Sequence, residues 1–198
     1  MQEMLGPLML FAAAMCLTPG PNVVMSTASA VNFGFRRTIP QISGVTVGFG
    51  LQVLAAGLGL ASLFQAEPRL HEALKYTGAL YLLYLAWRIA NAGAAGSHSA
   101  RARPINFVEG MLITWVNPKG WVTTAGALAA FTTVDGDAVL EASVIAGVLA
   151  AWCGLSLALW AGFGAAIARF LAQPRVRTAF NYAMAGLLVA SLALVFKG

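Results

Sequence analysis

Apolar positions run along this chain in six long blocks, at about residues 4–31, 39–64, 72–91, 105–132, 140–168 and 177–196. A helix needs about 20 such residues to cross the hydrocarbon core of a bilayer, and each block supplies roughly that many. Short polar segments divide them: Arg36 and Arg37, then Glu67 to Arg69, Gly93 to Pro104, Asp135 to Asp137, and Gln173 to Arg175. The pattern predicts an all-α integral membrane protein with six transmembrane helices, residues 1–198 forming a single transmembrane domain.

Two blocks are interrupted. The first contains Thr18-Pro19-Gly20-Pro21-Asn22 and the fourth contains Asn117-Pro118-Lys119-Gly120. Proline lacks an amide donor and clashes with the preceding turn, at about 3 kcal/mol inside a helix, so helices 1 and 4 are expected to break there. In lipid, non-helical backbone survives only where protein buries it or where it lines a cavity. Each break therefore marks a candidate site.

Pro19 and Pro118 lie 99 positions apart in a chain of 198, so each half, about 1–98 and 99–198, carries one broken helix at the same place. Three helices per half is an odd number, so the second half must enter from the opposite face. The halves are expected to be 3+3 inverted repeats, a design in which paired broken helices hold the transported solute. Fourteen residues separate Met4 from Thr18 and twelve separate Ile105 from Asn117. At about 1.5 Å per residue each break lies roughly 18–21 Å from its own starting face, so the two meet near the midplane.

Composition agrees and narrows the function. The chain is 59% hydrophobic and 10% charged, with a mean hydropathy of +0.76, against about 25% charged in soluble domains. The net charge of +5 sits between apolar blocks, where topology explains it and nucleic acid is not needed. Arginines gather after helices one, three and five (Arg36, Arg37, Arg88, Arg101, Arg103, Arg169, Arg175, Arg177), which puts those connections in the cytoplasm and both termini outside, Lys197 dissenting. Glu3 and the lack of a basic cluster before the first block argue that it stays as a helix and is not a cleaved signal. Cys16 and Cys153 read as packing residues, and His71 and His98 fall in or near connections, so neither a metal nor a cofactor is expected.

The breaks carry the chemistry. The second halves of the broken helices start near the midplane, and their free amides and partial positive charge suit a carboxylate. The first halves end there, leaving carbonyls near Cys16, Leu17, Thr114 and Trp115 to accept from an ammonium group. A zwitterionic amino acid matches both. Substrate-binding candidates are Thr18, Pro19, Gly20, Pro21, Asn22, Gln52, Asn117, Pro118 and Lys119. Lys119 leads them, because a charge near the bilayer centre costs about 2.5–3.5 kcal/mol and needs a wet cavity or a partner; pairing with Glu109 or with carbonyls is the structural alternative. Glu109 suits a helix N-terminus, or gating and proton coupling. Gln52 either contacts substrate or bonds across helices. Gly44, Gly48, Ser143, Gly147 and Ala151 are small-residue faces expected to clamp the broken helices, with a homodimer as a further use of such faces. Tyr76, Tyr81, Tyr84, Trp87, Trp152 and Trp160 fit packing or interfacial anchoring.

At these residues the chain resembles the lysine exporter and homoserine/threonine resistance (LysE/RhtB) family of bacterial amino-acid exporters. The resemblance rests on Thr18 to Asn22, Gly44 to Gly50, Gly57 to Leu60, Gly78 to Leu82, Phe107 to Gly110 and Asn117 to Lys119, over about 180 residues. It implies proton-driven export of amino acids or close derivatives across the inner membrane. The lysine-exporting branch has an acidic group in helix two where this chain has uncharged polar residues, so small neutral amino acids such as homoserine or threonine are expected. Alternatives are a passive channel or ion or metal permease of the same superfamily, and an intramembrane enzyme, for which no paired carboxylates or Ser/His set appears.

Overall fold

The computed structural model describes residues 2–60, 68–92, 103–133 and 136–197. Glu67, His98, Arg101 and Asp135, which the sequence reading uses as markers of connections, lie outside the described residues. Every element is helical: α1 (Gln2–Leu17), α2 (Pro21–Phe33), α3 (Phe35–Ala55) with a π-helical turn at Ala56–Leu60, α4 (Pro68–Ala90), α5 (Phe107–Val116), α6 (Pro118–Phe131), α7 (Ala138–Ile167) and α8 (Pro174–Lys197).

The two expected breaks are present. The axis bends by 55° between α1 and α2, and one residue, Asn117, separates α5 from α6. By length and apolar composition α3 and α7 are each able to cross a membrane among the described residues, and the bent α1/α2 pair has the length and composition of either a broken span or a re-entrant loop. The distribution of side chains fits a lipid surround. Leu10, Leu80, Val122 and Trp87 face outward, while Gln41, Gln52, Asn181 and Thr114 are fully buried, the reverse of a water-soluble domain.

Several charges stand elsewhere than the sequence reading put them. Arg36 and Arg37 form the first turn of α3, Arg88 the last turn of α4, and Arg175 and Arg177 the first turn of α8. The connection between α2 and α3 is Gly34 alone, at φ 85°, a conformation only glycine adopts cheaply. The helices therefore continue through positions that composition alone would assign to loops.

Glycines set the closest contacts. A Cβ on Gly44 of α3 would stand 2.0 Å from the carbonyl oxygen of Phe107, and one on Gly110 of α5 would stand 2.6 Å from that of Gln41, so α3 and α5 touch backbone to backbone. The α3 small-residue face thus clamps the second broken helix, as expected. The α7 face does not: Ser143, Gly147 and Ala151 point outward. α7 holds the first broken helix further along, through Gly164 against the Thr27 carbonyl of α2 and through Ser156 and Trp160.

Two apolar clusters complete the core. One joins α1, α3 and α7 around Val45, Phe49, Leu149 and Leu157. The other joins α2, α4, α5 and α8 around Met25, Leu85, Ile113 and Leu188.

Candidate functional site

At the first break, Leu17 ends α1 and Pro21 opens α2 at its first helical position, where a missing amide costs nothing. Gly20 caps α2 in an extended conformation and offers no side chain to the first amides of the helix. The last carbonyls of α1 are taken individually. Thr18 Oγ1 donates to Ala14 O at 2.6 Å, Ser156 Oγ to Cys16 O at 2.7 Å, and Trp160 Nε1 to Leu17 O at 3.3 Å.

At the second break Asn117 ends α5 and caps α6, its Oδ1 accepting from the Lys119 amide at 3.1 Å. Gln52 Nε2 donates to Thr114 O at 3.3 Å, and Trp121 Nε1 to Trp115 O at 2.7 Å. These bonds qualify the sequence reading: the carbonyls of Cys16, Leu17, Thr114 and Trp115 each already accept one hydrogen bond from a side chain of another helix. The two helix starts also differ. α6 is capped by a side chain and α2 is not, so the open amides belong to α2.

The carbonyl of Thr18 is held differently, by the ammonium of Lys119, which reaches it across the gap between the two breaks. The Lys119 chain lies flat on Gly20, where a Cβ would come within 2.8 Å of its Cδ. Here the breaks open on a shared cavity of about 50 Å³, room for a few waters. Thr18, Gly20 and Asn22 line it from one break, and Asn117, Lys119 and Gly120 from the other. Asn22 Oδ1 is buried there without a hydrogen-bond partner among the described residues.

Of the other candidates, Pro19, Pro21 and Pro118 shape the breaks without lining the cavity. Gln52 stands just behind the second break, where a Cβ on Gly120 would lie 3.0 Å from its Oε1; its bond is to the helix end, and its Oε1 has no partner among the described residues.

Glu109 is not brought to the cavity. It is the third residue of α5 and forms a capping box with Asn106. Arg88 Nη1 and Arg103 Nη2 both donate to its Oε1, at 2.9 and 2.7 Å, and the Asn106 amide donates to Oε2 at 2.9 Å. Hydrogen bonding to the carboxylate in turn raises the pKa of the Arg103 guanidinium. Among the described residues Lys119 therefore has no carboxylate partner, and Glu109 has two cations.

Sequence reasoning missed Met15, Cys16, Val23, Phe49, Thr123, Cys153 and Leu157, which complete the cavity wall. Thr123 was findable, one helical turn beyond Lys119 and bonded to its carbonyl at 2.8 Å. Cys16, in the last turn before Thr18, was findable too. Phe49, Cys153 and Leu157 come from α3 and α7, whose periodicity carries no sign of which face meets the breaks.

The sequence model of the family described as LysE type translocator matches residues 13–197. Among curated proteins, the chain is similar to a cysteine/O-acetylserine efflux protein of Salmonella typhimurium, 38% identical over 104 residues covering 52% of each chain. It is similar to the protein of the same name in Escherichia coli, 33% identical over 116 residues covering 58% of each. The chain thus spans about half the length of the curated relatives it matches. No solved structure matches it.

Proposed function

We start from the fact that this chain belongs to the LysE type translocator family, and we propose that it is a secondary active exporter of small neutral amino acids in the bacterial inner membrane. The observation that carries this reading is the Lys119–Thr18 contact inside a cavity lined from both breaks. An ammonium on that carbonyl stands where the ammonium of an amino acid would bind. The open first amides of α2, across the same cavity, suit its carboxylate. Substrate binding then consists of one ammonium replacing another, with Lys119 displaced into the wet cavity.

The similarity to proteins named cysteine/O-acetylserine efflux proteins leads us to rank cysteine and O-acetylserine ahead of homoserine and threonine. All four are short, neutral and zwitterionic, and none requires a fixed carboxylate in the site. The architecture we propose has six spans as 3+3 inverted repeats in one domain, both termini outside and the Arg36–Arg37 corner in the cytoplasm. Alternating access around the paired breaks, driven by protons, is the proposed cycle. Glu109, bound by Arg88 and Arg103, acts in it as a clasp on the cytoplasmic end of α5. The outward stripe of Ser143, Gly147 and Ala151 is the face we assign to a second copy.

Inside-out vesicles with an imposed pH gradient and labelled cysteine, O-acetylserine, threonine and homoserine test this. Accumulation of any of them against its gradient supports export; equilibration without accumulation identifies a channel, and no movement of any of them overturns the reading.

A further inference from the structure

The polar face of α2 continues past the cavity. Asn22, Ser26, Ser29 and Asn32 follow at spacings of four, three and three, which places them in one stripe along the helix. Each of the last three meets a polar side chain from elsewhere in the fold. Gln41 Nε2 donates to Ser26 Oγ at 3.2 Å, and Thr38 Oγ1 to Ser29 Oγ at 3.1 Å. Asn32 and Asn181 exchange amide bonds at 2.8 and 3.2 Å. Ser26, Thr38, Gln41 and Asn181 are fully buried. Ten residues of helix make the stripe about 15 Å long, half the hydrocarbon thickness, from the cavity to the corner with Arg36 and Arg37.

A seam that merely glued helices would be fully paired. This one has two amide oxygens, Asn22 Oδ1 and Gln41 Oε1, buried with no partner among the described residues, at about 1–3 kcal/mol each. Successive polar positions are roughly 4.5–6 Å apart along the axis, too far for direct bonds and suited to one water between each pair. The other faces of α2 carry Val23, Val24, Met25, Ala28 and Val31, and the one polar residue among them, Thr27, spends its hydroxyl on the Val23 carbonyl of its own helix at 2.9 Å.

We propose that the stripe is a hydrated proton path between the cavity and the Arg36–Arg37 corner, and that Lys119 is the group it serves. The inference rests on the export reading and deepens it. The titratable side chains facing Lys119 across the cavity are Cys16 from α1 and Cys153 from α7; α2 and α3 contribute only the uncharged Asn22, Val23 and Phe49. When the substrate ammonium takes the Thr18 carbonyl, Lys119 loses its acceptor. Its proton passes to water, moves past Asn22, Ser26 and Ser29, and leaves at Asn32. The amine left behind is neutral, so the occupied cavity holds one ammonium, that of the substrate, and not two. A proton arriving from the opposite face recharges Lys119 once the substrate has gone. One proton is thereby exchanged for one amino acid.

Thr38→Val with Gln41→Leu, changes of similar volume that remove the two α3 partners, tests this in proteoliposomes holding the full chain. Exchange of labelled for unlabelled cysteine, which moves no net proton, is expected to stay within about twofold, while gradient-driven transport falls roughly a hundredfold, the low end for a positioned proton-transfer group. Driven transport at the unaltered rate would overturn the proposal, as would a parallel fall of both activities, which marks a packing role. Failure of the unaltered protein to exchange any of cysteine, O-acetylserine, threonine and homoserine would overturn the export reading and the path with it. If the double variant fails to insert, Ser29→Cys is expected to react with a small water-soluble thiol reagent about tenfold faster than Ala28→Cys. Equal rates would overturn a hydrated path.

Discussion

The ammonium of Lys119 donates to the main-chain carbonyl of Thr18, joining residues 101 positions apart and tying one helix break to the other. Neighbouring carbonyls on α1 are held by Ser156 and Trp160, both fixed on α7. Thr18 is held by a long aliphatic arm laid over Gly20, which can swing away without unpacking a helix. A site that must bind and release needs a contact of that kind, since a displaced side chain can return when the solute leaves.

A zwitterion needs both of its charges at such a site. Cysteamine, which lacks the carboxylate, and 3-mercaptopropionate, which lacks the ammonium, are each expected to bind at least about tenfold more weakly than cysteine, the cost of one charge-assisted hydrogen bond. Equilibrium binding of the three to the purified protein measures this. Equal affinities would mean that the thiol alone is recognised. Saturating cysteine is also expected to slow alkylation of Cys16, which lines the same cavity.

Gly44→Ala is expected to destabilise the protein by about 1–3 kcal/mol through overpacking. The added carbon meets the Phe107 carbonyl oxygen at 2.0 Å, and only separation of α3 from α5 relieves that. Thermal unfolding in detergent reads the effect at roughly 2–4 °C per kcal/mol. Gly162→Ala is the control: nothing lies within 4 Å of its added carbon, and its melting temperature should hold.

Glu109→Gln keeps an acceptor for the Asn106 amide but discharges the pair with Arg88 and Arg103. We expect a loss of about 1–2 kcal/mol in stability, as for a partly buried ion pair, and no change in the shape of the transport pH profile. A displaced profile would return proton coupling to this carboxylate.

Much of this was legible in the sequence. Pro19, Pro21 and Pro118 favour a break through a missing amide and a ring clash, and both breaks stand where these prolines, set beside Gly20 and Asn117, put them, whereas Pro7 and Pro40 lie inside α1 and α3. Lys119 was legible because a charge deep in an apolar block has few tolerable surroundings. The partner of Lys119 was not, since its choice between Glu109 and a carbonyl depends on how α4 delivers Arg88 to Glu109 first. The hydrogen bonds to the Cys16, Leu17 and Thr114 carbonyls depend on rotations of α3 and α7 about their axes, which their apolar periodicity leaves open. Arg36 and Arg37 were misread as a connection because a single glycine at positive φ turns the corner and leaves them helical.

Export by Lys119→Ala, assayed in vesicles at matched amounts of inserted protein, tests the central claim most directly. With its movable ammonium gone the site cannot exchange one cation for another, and we expect gradient-driven export to fall by about a hundredfold or more. Export at the rate of the unaltered protein would contradict the assignment of Lys119 and of the paired breaks it joins.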